Sequence, residues 1–199
     1  IFYVNTSGND LNDGTINKPF LTIQRGMDRS YNGDTLIVYP GTYTESVDFK
    51  KKNVVLASRY LTTSDTTYRD STIINGSVTM NNLDSTAALI GMMIYKGKVE
   101  ANSGSPVLKR LHIRESQQTG LQLSNVNMAI TDIEVKKNTG SGSLNGGGIR
   151  VVSSTVSFTR AVVDSNTARE GYNGGGLYSN NSHITITRSQ FNDNVGQYG

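Results

Sequence analysis

The chain has 199 residues, a formal net charge of +3, 21 glycines and no cysteine. The lack of cysteine excludes a disulfide scaffold, a thiolate metal site and a cysteine nucleophile. Basic residues are scattered rather than clustered, which argues against nucleic-acid binding, and no apolar run reaches the roughly 18 residues of a membrane-spanning helix. Because no linker-like segment divides the sequence, we expect one domain.

Residues 1–33 predict a strand, a loop and one helix. The apolar residues 2–4 predict the strand, and the turn-forming residues 6–18 predict a long ordered loop. Proline is favoured at the first position of a helix, so Pro19 predicts where the helix begins. The apolar residues that follow share one helical face: Phe20, Ile23, Met27 and Tyr31.

Short strands are predicted over the rest of the chain. Residues 35–39, 42–49 and 51–58 contain the first three, and the turn pair Pro40-Gly41 separates two of them. From there on, the sequence predicts only short strands and turns.

A repeat of 28 residues organises the C-terminal part of the chain. Residues 146–166 and 174–194 match in kind at this offset, and a third copy precedes them by another 28 residues. Further back the offset shortens to 22 and 19 residues, as Ile130, Leu108 and Leu89 show. Polar, glycine-rich turns change length while the strands keep their frame, as expected when strands form a core and loops lie outside it.

Strands that return in the same direction at these intervals predict a coil rather than hairpins. Each coil adds one strand to each of two or three parallel sheets, and we count about seven coils. The predicted fold is therefore an all-β parallel β-helix over residues 34–199, with residues 1–33 forming an N-terminal strand, loop and capping helix. Asn138, Asn166 and Asn194 recur at the same spacing, so we expect a hydrogen-bonded ladder at a turn where asparagine adopts the left-handed conformation.

Two stretches resemble a known superfamily. Residues 3–27, YVNTSGNDLNDGTINKPFLTIQRGM, and residues 33–45, GDTLIVYPGTYTE, resemble the opening of bacterial right-handed parallel β-helix proteins of the pectate-lyase-like superfamily. Residues 57–77 are similar to large secreted surface proteins of Bacteroidetes-like bacteria. The GGGI, GGGL and FNDN elements resemble repeats of chlamydial polymorphic outer-membrane proteins. The resemblance implies a right-handed β-helix in a secreted or cell-surface protein, and it leaves function open because the superfamily includes enzymes, adhesins and spacers.

Superposing the repeats places charged residues in columns. One column contains Arg110, Asp132, Arg160 and Arg188, and a second on the same face contains His112, Glu134, Val162 and Gln190.

The columns allow two enzymatic interpretations. In a polysaccharide lyase, Arg160 or Arg188 would be the base, and Asp132 with Glu134 would bind calcium, the one cofactor that the sequence leaves open. A glycoside hydrolase would need Asp132 and Glu134 as a pair of carboxylates. Acids and bases alternate along the column, however, which favours a solvent-exposed charge ladder. Neighbouring arginines also favour the charged form of an acid, which disfavours a proton donor.

A binding function agrees better with the sequence. Arg169 and Tyr172 lie on a long predicted turn, Tyr178 follows closely, and Tyr198 takes a similar place one coil later. Tyrosine rings stack on sugar faces while neighbouring polar groups bond to hydroxyls, although the same rings can instead pack on their own loops.

The predicted function is therefore a secreted or cell-surface β-helix module that acts as an adhesin, a carbohydrate-binding module or a structural scaffold without catalysis. The alternative is a lyase or glycoside hydrolase acting on an acidic polysaccharide. The expected partner is a polysaccharide or cell-surface glycan and not nucleic acid. Because the sequence stops in mid-repeat, we also expect further coils or another chain to cover its C-terminal edge.

Overall fold

The protein is a right-handed parallel β-helix, seen in a computed structural model that describes residues 1–140 and 145–196. In chain order, its elements are β1 (Phe2–Val4), α1 (Ile23–Arg29), β2 (Thr35–Val38), β3 (Gly41–Tyr43), β4 (Val47–Asp48), β5 (Val55–Ser58), α2 (Tyr60–Thr63), α3 (Thr67–Ser71), β6 (Thr72–Asn75), β7 (Val78–Thr79), β8 (Ala88–Ile90), β9 (Met93–Tyr95), β10 (Val99–Gly104), β11 (Val107–Lys109), β12 (His112–Arg114), β13 (Leu121–Thr131), β14 (Glu134–Lys136), β15 (Ile149–Val152), β16 (Thr155–Thr159), β17 (Val162–Asp164), β18 (Leu177–Asn180), β19 (His183–Thr187) and β20 (Gln190–Asn192).

Each coil passes through three sheets in a fixed order. Sheet 1 contains β1, β2, β5, β8, β11, the second half of β13, β16 and β19. Sheet 2 contains β3, β6, β9, β12, β14, β17 and β20, and sheet 3 contains β4, β7, β10, the first half of β13, β15 and β18. All ladders between these strands are parallel. The seven strands of sheet 2 confirm the predicted number of coils.

The register of the sheets follows the sequence repeat. Phe158 pairs with Ile186 at the 28-residue offset and with Ile130 one coil earlier. Leu108 pairs with both Ile130 and Leu89, so the shorter offsets are also confirmed. Side chains at these positions point inward, and one continuous hydrophobic core runs along the axis of the helix.

The N-terminal helix begins later than the sequence predicts. Helix α1 starts at Ile23, with the Thr22 hydroxyl accepting a hydrogen bond from the Arg25 N–H at 3.2 Å as the N-cap. Phe20 instead forms a parallel bridge with Val4, so the chain is still extended there. The two carboxylate oxygens of Glu45 accept from the first N–H groups of the helix, at 2.8 Å each. Ile23 and Met27 are buried, and α1 contacts β1, β2 and β4, as expected of a helix that covers the first coil.

Most corners between sheets need only one left-handed residue. Between sheets 1 and 2 the corner residue has φ of 53° at Arg110, 57° at Asp132, 55° at Arg160 and 52° at Arg188. These values are rare for residues other than glycine and asparagine. They recur because the stacked strands on both sides of each corner determine its shape.

The predicted asparagine ladder is present, with one correction. The Asn138 amide nitrogen donates to Asn166 Oδ1 at 2.9 Å, and Asn166 repeats the contact to Asn194. Asn138 and Asn166 are almost fully buried. The left-handed residues are the preceding ones, Lys137 and Ser165, because the asparagines need an extended backbone to reach the next coil.

Two short helices were not expected from the sequence. Residues 59–71 leave the coil between β5 and β6 and contain α2 and α3, where the other coils have a tight corner. Neither helix has a buried residue. We call residues 59–71 the insert.

The last coil differs from the others in its exposure. Ile186, Phe191 and Val195 continue the core columns but are 45%, 37% and 59% exposed. The expectation that further coils or another chain cover this edge stays a prediction. Among the described residues, no helix has the length and apolar character needed to cross a membrane.

Candidate functional site

A groove on the outer face of sheet 2 is the principal concave feature near the predicted columns. It encloses about 390 Å³. Strands β12, β14 and β17 form its floor, since their outward residues stack from coil to coil. It is lined by His112, Ile113, Arg114, Glu134, Lys136, Lys137 and Asp164.

Glu134 lies at the centre of the charged residues in this groove. Lys136 Nζ lies 2.8 Å from its Oε2, and Arg69 Nη1 lies 3.1 Å from its Oε1. Together with His112, these groups hold the pKa of Glu134 well below its usual range, the contact with His112 being the largest cause. Glu134 therefore stays ionised and cannot act as a proton donor near neutral pH.

His112 lies between two carboxylates. Its Nδ1 is 2.7 Å from Asp70 Oδ1, and its Nε2 is 2.6 Å from Glu134 Oε1. The Nε2 contact is short but poorly aligned for a hydrogen bond. Both contacts are attractive only when both ring nitrogens carry protons, because a bare nitrogen lone pair would repel a carboxylate.

The insert supplies two members of this cluster. Arg69 and Asp70 of α3 pair with each other, with Nε and Oδ1 3.1 Å apart, and both reach across to residues of sheet 2. Within the insert, the Arg59 guanidinium lies 5.4 Å from the centre of the Tyr68 ring. Sequence reasoning missed Arg69 and Asp70 because they lie outside the repeat, where no column can be aligned. The extra length of the coil formed by β5, β6 and β7 was the available sign that a corner had been replaced.

Both predicted columns exist, and the first is not a simple charge ladder. Thr131, Thr159 and Thr187 pair in register, so the corner residues that follow them are stacked. Arg160 donates to both carboxylate oxygens of Asp132, at 2.5 Å and 2.9 Å. Arg188 forms no such ion pair with any described residue, and its side chain is exposed.

The ion pair between Arg160 and Asp132 determines the acid-base chemistry of these two groups. The hydrogen bond with Arg160 lowers the pKa of Asp132, and the same bond raises the pKa of Arg160. A base must release its proton easily, so a paired arginine with a raised pKa is poorly suited to proton abstraction.

No calcium site is evident in the part of the chain that the structure describes, where no group of three or more histidine, aspartate or glutamate side chains could hold a metal ion. In the N-terminal loop, Asp10 accepts hydrogen bonds from the N–H groups of Leu21 and Thr22, at 2.9 Å each. That carboxylate fastens the loop to the start of α1.

The predicted tyrosine site is divided between a loop and sheet 3. Tyr178 lies on β18 with the Arg150 guanidinium 5.2 Å from its ring centre, and its hydroxyl accepts from Asn180 at 3.2 Å. Arg169 and Tyr172 lie in the preceding loop, where the Tyr172 N–H donates to the Arg169 carbonyl at 3.0 Å. Tyr198 lies outside the described residues.

The two glycine triplets, residues 146–148 and 174–176, let the loops of neighbouring coils pack closely against each other. A Cβ atom at Gly148 would lie 2.7 Å from the Gly176 carbonyl oxygen of the next coil. The triplets therefore allow close stacking of backbones, and each is followed directly by a strand.

Comparisons with known proteins support the fold. The pectate lyase Pel9A has a similar structure, with a TM-score of 0.54 and 15% sequence identity over 99% of this chain and 66% of the lyase. The GH136 lacto-N-biosidase of Eubacterium ramulus gives a TM-score of 0.50 and 10% identity over 96% of this chain and 55% of that enzyme. The resemblance to pectate-lyase-like β-helix proteins is thus confirmed for the fold.

Comparisons of the sequence match a smaller part of the chain. A stretch of 48 residues is 40% identical to the uncharacterized protein YwoF of Bacillus subtilis (strain 168), which is 24% of this chain and 10% of YwoF. No family model matches the chain. The resemblances to Bacteroidetes-like and chlamydial surface proteins stay predictions.

Proposed function

We propose that this chain is a non-catalytic β-helix module that binds a carbohydrate in the groove on sheet 2. One observation carries the proposal: the groove is open and polar, yet the carboxylate at its centre is held ionised by three cationic or proton-donating neighbours. Such a surface offers fixed hydrogen-bonding groups, and its central carboxylate is poorly suited to donate a proton. A secreted or cell-surface location belongs to the same proposal.

The dimensions and lining of the groove suit a sugar ligand. Its volume of about 390 Å³ lies within the range of roughly 300–1,000 Å³ usual for ligand pockets. Arg114, Lys137 and Asp164 lie at its margin and provide donors and an acceptor for hydroxyl groups. The groove follows the stacking direction of the strands, so successive coils can contact successive sugar units.

Sheet 3 is the alternative location for the same function. The contact set proposed from the sequence is Tyr178, with Arg169 and Tyr172 in the adjoining loop and Tyr198 outside the described residues. The Arg150 side chain already occupies one ring face of Tyr178, which leaves less of the ring for stacking on a sugar. We therefore give precedence to the groove on sheet 2.

The alternative function is a lyase or hydrolase of an acidic polysaccharide, with Asp132, Glu134 and Arg160 or Arg188 as its site. The names of the similar enzymes do not decide this, because one fold supports many activities. Asp132 and Glu134 both have lowered pKa values through their cationic neighbours. A hydrolase needs one carboxyl group that stays protonated, so these two carboxylates are poorly suited to that reaction.

A panel of neutral and acidic glycans, tested for binding and for turnover, would test the proposal. We expect saturable binding to at least one glycan, with no unsaturated product in ultraviolet absorbance and no new reducing ends. Arg114→Ala should weaken binding by about tenfold or more if this side chain contacts the ligand.

Arg150→Ala is the matched control, because Arg150 is an outward arginine of similar exposure on sheet 3. Its binding should equal that of the wild type. Turnover that Arg160→Ala abolishes would establish the enzymatic alternative. Binding lost in Arg150→Ala and kept in Arg114→Ala would move the site to sheet 3.

A further inference from the structure

A second, smaller cavity lies beside the groove, at the corner between sheets 1 and 2. It encloses about 160 Å³ and is bounded by α3 and by three successive coils. We call it the arginine notch. It is lined by Arg69, Arg110, Asp132, Ile133, Glu134, Arg160 and Val162.

Two of the three arginines in the notch are already neutralised. Arg160 is paired with Asp132 through two hydrogen bonds. Arg69 contacts Glu134, and its other nitrogens contact Asp70. Lys136 also pairs with Glu134, so the carboxylates of the cluster are fully occupied by cations other than Arg110.

Arg110 is the unmatched cation. Its guanidinium makes no hydrogen bond or ion pair to another described residue, and its Nε is buried without a hydrogen-bond partner. Buried donors are almost always satisfied in folded proteins, so the unpaired Nε leaves a position that water or an anion can fill. The charge of Arg110 still attracts Asp132 through space, since it contributes to the lowered pKa of that carboxyl group.

The surroundings of Arg110 hold it in place. Its guanidinium lies 4.8 Å from the centre of the Tyr60 ring, which belongs to the insert. Its backbone is fixed at a left-handed corner between two ladders. A cation that is pre-oriented and partly screened from water binds an anion more strongly than a mobile surface arginine does.

We propose that the arginine notch binds a single oxyanion, a carboxylate or sulfate group, with Arg110 as its main ligand. The planar guanidinium matches the paired oxygens of such a group, and the charges of Arg69 and Arg160 add to the attraction. The notch has less than half the volume of the groove, which suits one charged group rather than a sugar ring. The anion can be a free ion or a substituent of a larger molecule, so this inference goes beyond glycan binding and stands without it.

Titration with sodium sulfate and sodium acetate, followed by NMR of the arginine Nε–Hε resonances, tests the proposal at constant ionic strength. We expect the Arg110 resonance to shift saturably in the wild type. Arg110→Gln, which keeps a side chain of similar length without the charge, should abolish saturable anion binding or weaken it by about tenfold or more. Arg110→Lys should retain part of the affinity, because charge remains without the planar donors.

Arg188→Gln is the matched control, since Arg188 occupies the same column and the same left-handed corner but lies outside the notch. It should bind like the wild type. A shift that never saturates, or one equal at Arg110 and Arg188, would show general ionic screening and overturn the proposal. Sulfated, carboxylated and neutral oligosaccharides of equal length then separate the sources: a substituent predicts tighter binding than its free ion, whereas a free-ion site predicts equal or weaker binding.

Discussion

The chain passes from sheet 1 to sheet 2 in two different ways, one in the regular coils near the C-terminus and the other in the coil that contains the insert. In the regular coils a single left-handed residue, such as Arg160, turns the chain from sheet 1 to sheet 2. In the coil formed by β5, β6 and β7, the 13 residues of the insert take its place, and they contribute no buried side chain. The insert is held by charged and aromatic contacts to His112, Glu134 and Arg110.

The regular coils and the insert therefore contribute differently: the coils stabilise the fold, and the insert shapes the proposed binding sites. The regular coils bury apolar columns and satisfy their polar groups through the asparagine ladder, so they determine whether the chain folds. The insert adds little core, but it brings Arg69, Asp70 and Tyr60 against sheet 2 and so creates the arginine notch and one side of the charged cluster. Four predictions follow the comparison from its largest expected effect to its smallest.

Phe158→Ala should destabilise the protein most. Phe158 is fully buried between Ile130 and Ile186 of the neighbouring coils, so its loss leaves a cavity in a regular coil. We expect the free energy of unfolding to fall by about 3–5 kcal/mol, measured by urea denaturation. Tyr68→Ala in the insert is the control and should cost much less. A similar loss of unfolding free energy in both variants would contradict the conclusion that the regular coils, and not the insert, stabilise the fold.

Asn166→Ala should have the next largest effect. It removes the oxygen that accepts from both the backbone N–H and the side-chain amide of Asn138, in a buried position, and it removes one donor to the Val135 carbonyl. At about 1–3 kcal/mol for each buried group left unpaired, we expect a loss of about 3 kcal/mol in thermal or urea unfolding. Asn127→Ala, an exposed asparagine on β13, should change stability by less than about 0.5 kcal/mol.

Glu134 should make stability depend on acid pH. Its folded pKa is lowered, so its ion pairs stabilise the protein fully above the ordinary value of 4.5 and lose this contribution as the pH falls below it. We expect the difference in unfolding free energy between wild type and Glu134→Gln, on the order of 1 kcal/mol, to shrink between about pH 5.5 and pH 3. Val162→Thr, a neighbour in the same column without a titratable group, should keep a constant offset.

Removing the insert should have the smallest effect on the fold. Ala57 pairs with Ile90 and Ile73 with Met93, so Ser58 and Thr72 fall opposite the corner residues of the next coil. Deletion of residues 59–71 with Ser58→Gly should therefore restore a tight corner and change stability by less than about 1 kcal/mol. It should also remove anion binding at Arg110. Loss of cooperative unfolding in circular dichroism would show that the insert is part of the core.

Much of the fold was predictable because the β-helix repeats its contacts. Apolar residues such as Leu108 and Phe158 recur wherever a side chain faces the core, so the offsets between them predict the register of the sheets. The asparagine ladder was visible for the same reason. The start of α1 was misplaced because Pro19 and Phe20 fit a helical pattern, whereas Phe20 is used in a bridge to Val4.

The candidate site was predictable only in part. The columns containing Asp132 and Glu134 follow from the repeat, but their partners do not. Arg69 and Asp70 come from a segment without a repeat, and only the fold brings them to His112. The pairing of Arg160 with Asp132, which leaves Arg110 unmatched, depends on side-chain geometry that equal spacing in the sequence cannot reveal.

The most direct test of the account is an NMR map of the protein with a glycan that it binds, recorded over hours in one sample. The account predicts that the perturbed backbone amides lie on β12, β14 and β17, and that the glycan signals stay unchanged with time. Perturbations confined to β15, β18 and the loop before Tyr178, or the appearance of product signals, would contradict it.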